Sequence, residues 1–243
     1  LWPVDFTLDS YEYVARQHMF WITFGVTLKR IALALPLTLL VILVTAYPMS
    51  KDSRHVPGRA FYTYFFLIPM LFGGGLIPWY LTVRALHLTN TIWGLVIPGL
   101  LPVFSVILLM NFFRNLPKEI EDAAFIDGAG PITALVTIFV PLSLPCIATI
   151  ALFTLVGNWN SWFDGIILMD STRMYPVQSY LQSLLVQIDP SKVTSLNLDE
   201  VNKVSNRTFK AAQIFIATVP ILLVYPFLQK YFTSGIVMGS VKG

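Results

Sequence analysis

Residues 115–130 combine acidic side chains with residues that begin and end helices. Pro117 suits the first turn of a helix, where its missing N–H would have no partner in any case. Glu119 and the acidic residues after it place negative charge at the positive end of the helix dipole. Gly128 and Gly130 permit the left-handed conformation that stops a helix. The segment therefore predicts one short, acidic helix.

A small-faced, acidic surface is expected on this short helix. Its members are Glu121, Asp122, Ala123, Ala124, Asp127 and Gly128. Helices that lie on lipid headgroups are usually rich in Lys and Arg, and this one is acidic. Docking into a partner protein is therefore the favoured interpretation, and a passive loop at the membrane surface is the alternative.

A second polar group mixes aromatic rings with amide and carboxyl groups. It consists of Asn158, Trp159, Asn160, Trp162 and Asp164. An Asp at the centre of a bilayer costs on the order of 3 kcal/mol on insertion scales, so such groups face a protein interior or water. Flat rings beside amides suit a sugar, which offers C–H faces and hydroxyls together. A substrate pathway and a belt of Trp at the outer membrane surface both remain open.

Lys29 and Arg30 are adjacent positive charges that directly precede the uncharged stretch Ile31–Ser50. We expect them at the outer end of a membrane span, where positive charge is less common. Long cationic side chains at such a place usually extend to the boundary between lipid and water. The alternative is that both face a pathway for an anionic substrate.

The distribution of charge indicates the elements that must position these residues. Of the 243 residues, 56% are hydrophobic and 12% are charged, against roughly 25% charged in an average soluble domain. Five long stretches lack Asp, Glu, Lys and Arg. They are Ile31–Ser50, Ala60–Val83, Ala85–Phe113, Gly128–Phe163 and Ala211–Gln229. About 20 helical residues cross a bilayer core, so we predict five spans, the fourth near Leu142–Phe163.

Short loops predict the orientation of these spans, because Lys and Arg concentrate in cytoplasmic loops. The loop Lys51–Arg59 carries three basic residues, whereas the loop His87–Thr91 carries no Lys or Arg. The first loop is therefore expected in the cytoplasm and the second outside. Alternation then places residues 1–20 and 170–210 outside, and residues 114–141, with the acidic helix, inside.

The acidic helix is part of a longer gapped pattern. Asp122-Ala-Ala124 is followed after three residues by Gly128, and after nine more by Ile138-Phe-Val-Pro141. This pattern resembles the EAA motif of ABC importer permeases, with Asp122 in place of Glu and Val140 in place of Leu. Residues 45–47, 152–160 and 239–243 resemble the MalG-type carbohydrate permeases.

That resemblance implies an all-α membrane protein, the transmembrane domain of a type I ABC importer. Residues 1–243 would form a single permease domain in the bacterial cytoplasmic (inner) membrane. The family has six spans per subunit, so one span is expected to precede Leu1. The expected function is import of a carbohydrate, with an acidic oligosaccharide such as alginate as the specific expectation.

The same resemblance implies the partners of the chain. Two cytoplasmic ATPase subunits would bind ATP and Mg²⁺, because this chain contains no Gly-x-x-x-x-Gly-Lys-Ser/Thr phosphate loop and is expected to hold no cofactor. A second, different permease, a periplasmic or surface substrate-binding protein and membrane lipid complete the expected set, without nucleic acid. His18, His55 and His87 are far apart in the sequence, so no metal site is expected.

A secondary transporter that works without ATP is the main alternative. Such chains usually show internal repeats and paired charges within their spans. No repeat is visible in this sequence, and few charges fall within the predicted spans. ATP-driven import is therefore the favoured function.

Overall fold

The structure is a computed structural model that describes residues 9–52, 56–186, 211–212, 214–220 and 222–223. This part of the chain contains helices and turns but no strand, which confirms the predicted all-α fold for these residues. The α-helices are α1 (Asp9–Arg16), α2 (His18–Ser50), α3 (Arg59–Leu71), α4 (Leu76–Ala85), α5 (Ile92–Val96), α6 (Val103–Arg114), α7 (Lys118–Ile126), α8 (Pro131–Ala134), α9 (Val140–Leu142), α10 (Leu144–Asn160), α11 (Phe163–Leu168) and α12 (Val177–Val186). A π-helical turn, Leu135–Phe139, joins α8 to α9.

Helix α2 is one continuous helix of 33 residues, long and apolar enough to cross a membrane. At about 1.5 Å per residue it is about 50 Å long, which exceeds the thickness of a bilayer core. It begins at His18, well before the predicted start at Ile31. The helix therefore continues through Lys29 and Arg30, and their placement at the outer end of the part that crosses the membrane stays a prediction.

Three bent pairs of helices give one further span each, if each pair is counted as a single crossing. Helices α3 and α4 meet at 118°, Ile92–Gly99 and α6 at 45°, and Pro131–Leu142 and α10 at 82°. At the sharpest bend Gly75 has a φ of 83°, a left-handed conformation that glycine adopts without strain. The break before α10 agrees with the predicted start of the fourth span near Leu142.

The described residues thus contain up to four spans, which coincide with four of the five predicted stretches. The fifth prediction, Ala211–Gln229, falls largely outside the described residues. Those of residues 211–223 that are described are helical. The prediction of a single domain over residues 1–243 stays a prediction.

The chain divides into two compact units, the first of which includes the described residues up to Ile31, Leu88–Leu95 and those from Val156 onward. Its buried core contains Val14, Phe20, Val177, Tyr180, Leu181, Ala212 and Ala217. The backbone N–H of Val177 donates to Thr27 Oγ1 at 2.8 Å. Since the first N–H groups of a helix have no partner within it, this bond fixes the start of α12 to α2.

The second unit contains Ala32–His87 and Val96–Leu155. Its core lies between α2, α6 and the segment that runs from the π-helical turn into α10. The buried members are Ile42, Ala46, Tyr47, Met49, Val106, Leu109, Met110, Phe113, Phe139, Cys146 and Ile150. This core includes Tyr47 and Met49, so the C-terminal end of α2 is packed into it.

Candidate functional site

The acidic helix forms where the sequence predicts it, as α7. Its first turn contains Glu119 and Glu121, next to the unpaired N–H groups that favour negative charge. It ends in a Schellman motif: Ala129 N–H donates to Ala124 O at 2.9 Å, and Gly128 N–H to Phe125 O at 3.1 Å. Gly128 has a φ of 85°, which confirms the predicted left-handed stop.

Most of the predicted docking residues lie on an exposed face of α7. Asp122, Ala123, Asp127 and Gly128 are exposed, and Ala124 is half-buried. No atom lies within 4 Å of the position that a Gly128 Cβ would occupy. Exposed apolar side chains border this face, among them Ile126, which is 86% exposed, and Ile132. An acidic patch with an apolar border is suited to contact with another protein.

Glu121 differs from the other predicted docking residues because its side chain is only 17% exposed. Its Oε1 lies 2.5 Å from Lys51 Nζ and accepts a hydrogen bond of 3.3 Å from the Tyr47 hydroxyl. Lys51 is itself 16% exposed and directly follows α2. Glu121 therefore contacts its own subunit, while Asp122 and Asp127 face outward.

Lys51 begins the basic loop Lys51–Arg59, which the sequence predicts to lie in the cytoplasm. The structure places its Nζ 4.2 Å from the centre of the Tyr47 ring and 3.9 Å from that of Phe139. Burial lowers the pKa of Lys51, and the Glu121 carboxylate opposes that shift. Sequence spacing gave no signal for this cluster, because Lys51 and Glu121 are 70 residues apart.

A cavity of about 1150 Å³ lies in the second unit beside these residues. Apolar side chains of α2 and of the π-helical turn form one wall, including Leu40, Val44 and Val136. Charged residues complete the lining, among them Lys51 and Glu121. The cavity thus lies between α2 and α7.

The predicted substrate-pathway residues separate into two sets, of which the first is internal. Arg30 is 5% exposed; its Nε donates to Asn158 Oδ1 at 2.9 Å and its Nη2 to Asp164 Oδ2 at 2.5 Å. Asp164 Oδ1 accepts from Ser161 Oγ at 2.7 Å and from the Gly165 N–H at 3.0 Å. The charge of Arg30 is therefore neutralised by Asp164 inside the first unit.

Trp159 also belongs to this internal set. Its ring is 2% exposed, packs edge-on against Phe24 at 5.6 Å, and donates from Nε1 to Ala217 O at 2.9 Å. Lys29, Asn160 and Trp162, by contrast, are exposed. The choice between a substrate pathway and an interfacial belt for the aromatic and amide group stays open. The choice between a pathway and the membrane surface for Lys29 stays open as well.

A metal centre has no support from the geometry of the described residues. In this part of the chain no group of three or more His, Cys, Asp or Glu side chains is close enough to bind an ion. His55 lies outside the described residues. Cys146, in the core of the second unit, is a buried free thiol.

Comparison with known proteins identifies the family. Residues 17–238 match the family described as "Binding-protein-dependent transport system inner membrane component". The chain belongs to this family. As a family member it is a transporter subunit rather than an enzyme, and the resemblance of the chain to ABC importer permeases is confirmed.

Two curated relatives of this permease match over nearly its whole length. Protein LplC of Bacillus subtilis (strain 168) is 40% identical over 245 residues, which are 100% of this chain and 81% of the relative. The polygalacturonan/rhamnogalacturonan transport system permease protein YtcP of the same organism is 34% identical, over 99% of this chain and 84% of that protein.

A solved structure shares the fold of this permease. It is a bacterial ABC transporter involved in the import of the acidic polysaccharide alginate, with a TM-score of 0.87 and 29% sequence identity. The match covers 96% of this chain and 82% of the other chain. The type I importer fold implied by the sequence is therefore confirmed.

Proposed function

We propose that this chain is the permease subunit of a bacterial ABC importer that brings an acidic oligosaccharide or polysaccharide into the cytoplasm. Membership in a binding-protein-dependent transport family supports import, and the alginate transporter supports the carbohydrate class. The observation that carries the proposal is the exposed acidic face of α7 on an EAA-type pattern. Such a face is what ATPase subunits would need in order to act on the spans.

In this proposal α7 is the coupling helix. Two cytoplasmic ATPase subunits bind ATP and Mg²⁺, and one of them receives Asp122, Ala123 and Asp127. Closure of the ATPases around ATP moves α7, and α7 moves the spans. The open space around Gly128 suits close approach of a partner backbone.

Two further partners belong to the proposed complex. A second, different permease would pair with this chain to enclose the pathway. A substrate-binding protein would deliver substrate to the external segment 170–210, of which residues 187–210 lie outside the described part. The complex would lie in the bacterial cytoplasmic membrane as a multi-pass assembly, in agreement with the inner membrane family.

Two of the matched transporters, the polygalacturonan/rhamnogalacturonan permease and the alginate transporter, favour an acidic substrate over a neutral one. Polygalacturonan is a polymer of a uronic acid, and alginate is an acidic polysaccharide. Lys29 supports the same class, because it is an exposed cation on α2 next to the neutralised Arg30. Asn160 and Trp162 would offer the hydrogen bonds and the flat ring that a sugar unit needs.

Purification of the complex with its ATPase subunits and binding protein tests the proposal. We expect oligogalacturonate or oligoalginate to stimulate ATP hydrolysis, and a maltooligosaccharide of equal length to stimulate it far less. Stimulation by the neutral sugar alone would contradict the acidic class. Purification of the chain without any ATPase subunit would contradict the coupling role of α7 and favour a secondary transporter.

A further inference from the structure

We propose that Lys51 is a positioning residue that ties the coupling helix α7 to the membrane spans. Movement of α7 would then be transmitted to the end of α2 through Lys51 and Glu121. The inference rests on the proposed function, because it assumes that ATPase subunits move α7. The inference goes beyond the proposed function because it names the contact through which the movement passes within this subunit.

The contact with α7 is short and largely shielded from water. Lys51 Nζ and Glu121 Oε1 are 2.5 Å apart, and both side chains are less than one-fifth exposed. The Tyr47 hydroxyl donates to the same Glu121 oxygen at 3.3 Å. Tyr47 and Lys51, at the end of α2, thus contact one carboxylate of α7. A movement of α7 relative to α2 would strain or break these bonds, so the two helix ends are expected to move together.

A third element takes part through aromatic rings. The Lys51 ammonium lies against the faces of both Tyr47 and Phe139, an arrangement in which cation–π attraction is favourable. The Tyr47 and Phe139 rings pack edge to face with centres 5.0 Å apart, and Phe113 packs against both. Lys51 therefore joins α2, α7 and the π-helical turn that follows α8.

Phe139 is the last residue of the π-helical turn. The turn occupies Leu135–Phe139 and is followed by Pro141, which has no N–H for a regular helical bond and crowds the preceding turn. A π-helical turn shifts the side chains after it relative to a regular α-helix and is frequent at functional sites. Phe139 is buried, and its ring lies beneath the Lys51 ammonium.

A second ion pair between the same two segments provides the matched control. Lys118 Nζ lies 3.1 Å from Asp52 Oδ2, with side chains 76% and 62% exposed. An exposed pair of this kind contributes little, because water and salt screen it. The shielded pair should therefore matter for transmission, and the exposed pair should not.

The test uses the complete complex in proteoliposomes and a reporter that needs no known substrate. Cys146→Ser removes the single cysteine, and Val44→Cys introduces a reporter on an exposed part of α2 that lines the cavity. The rate of maleimide labelling is compared without nucleotide and with ATP plus vanadate. Lys51→Met and Glu121→Gln are the test variants, and Lys51→Arg and Asp52→Asn are the controls.

We expect ATP plus vanadate to change the labelling rate in the reporter background and in both controls. In Lys51→Met and Glu121→Gln the change should shrink by roughly tenfold, within the usual range of coupling between sites, while the ATPase subunits still co-purify and hydrolyse ATP. A full change in either test variant overturns the inference. Absence of any change in the reporter background contradicts the proposed function instead. Glu121→Gln keeps the shape of the side chain, so it decides the question if Lys51→Met does not assemble.

Discussion

Arg30 and Lys29 are neighbours in the sequence that α2 directs into different surroundings. Successive helical residues point about 100° apart, so one of two adjacent charges can be buried while the other is exposed. Arg30 is buried and uses its fork of N–H groups on Asn158 and Asp164, a geometry that Lys cannot reproduce. A charge within a protein interior is tolerated when a partner neutralises it, and Asp164 has that role.

Replacement of Arg30 should therefore destabilise the fold far more than replacement of Lys29. We expect Arg30→Ala to lower the free energy of unfolding by about 3 kcal/mol, since it leaves Asp164 without its buried counter-charge. Lys29→Ala should change it by less than about 0.5 kcal/mol, because the side chain is exposed. Unfolding in detergent, followed by the near-UV signal of Trp, measures both. Equal losses in the two variants would show that the Arg30–Asp164 pair is not the cause.

At the scale of the element, α7 was predictable because its signals are local. Pro117, the acidic first turn and Gly128 lie within twelve residues, and each acts on the backbone beside it. The start of α2 was missed for the opposite reason. Lys29 and Arg30 interrupt the uncharged stretch, yet Arg30 is neutralised by a residue 134 positions away, which no local pattern reveals.

Gly128 should be needed both for the fold of α7 and for docking. Gly128→Val places a β-branched residue at a φ of 85°, which costs about 1–2 kcal/mol, and adds bulk to the docking face. We expect ATP-driven uptake to fall while the ATPase subunits still co-purify. Gly128→Asn separates the causes, because Asn tolerates this conformation and still adds bulk.

The matched control for this experiment is Gly130→Ala. Gly130 has an ordinary φ of −77° and free space around it, so uptake should be retained. If Gly128→Asn transports as well as Gly130→Ala, bulk on the docking face has no effect and close approach at Gly128 is refuted.

The packing of α11 against α12 depends on a second glycine. A Cβ at Gly165 would lie 2.7 Å from Pro176 Cδ and 2.9 Å from Ser179 Cβ, both closer than such atoms normally approach. Gly165→Ala should therefore lower the free energy of unfolding by about 1–3 kcal/mol. A Cβ at Gly157 in α10 would meet no atom within 4 Å. Gly157→Ala should therefore raise the free energy of unfolding by about 0.5–1 kcal/mol. Thermal unfolding of the two variants and the wild type shows whether each substitution stabilises or destabilises the fold. A stabilising effect of Gly165→Ala would contradict the close packing of Gly165 against Pro176 and Ser179.

At the scale of the whole molecule, family and fold class follow from composition and from one gapped motif, whereas the site contacts do not. Uncharged stretches mark the spans because hydrocarbon excludes charge wherever it contacts the chain. The sequence places the polar residues of the first unit in one group, a substrate pathway or an interfacial belt, and tertiary packing divides that group. Asn158, Trp159 and Asp164 make internal contacts, while Asn160 and Trp162 are exposed.

That division separates a substrate role from a structural role. If the exposed residues contact substrate, Asn160→Ala and Trp162→Ala should reduce stimulation of ATP hydrolysis by oligosaccharide about tenfold at unchanged thermal stability, since a polar site is specific for groups that it hydrogen-bonds. Asn158→Ala should lower stability, because it removes an acceptor from Arg30. Unchanged stimulation in both exposed variants would favour the interfacial belt.

The most direct test of the account is uptake of labelled oligogalacturonate or oligoalginate by proteoliposomes that contain the complete complex. Uptake should require binding protein on the outside and ATP on the inside, and should stop when the ATP is replaced by a non-hydrolysable analogue. It should not respond to a proton or sodium gradient. Uptake driven by such a gradient without ATP would contradict the assignment of this chain to an ATP-driven importer of acidic saccharides.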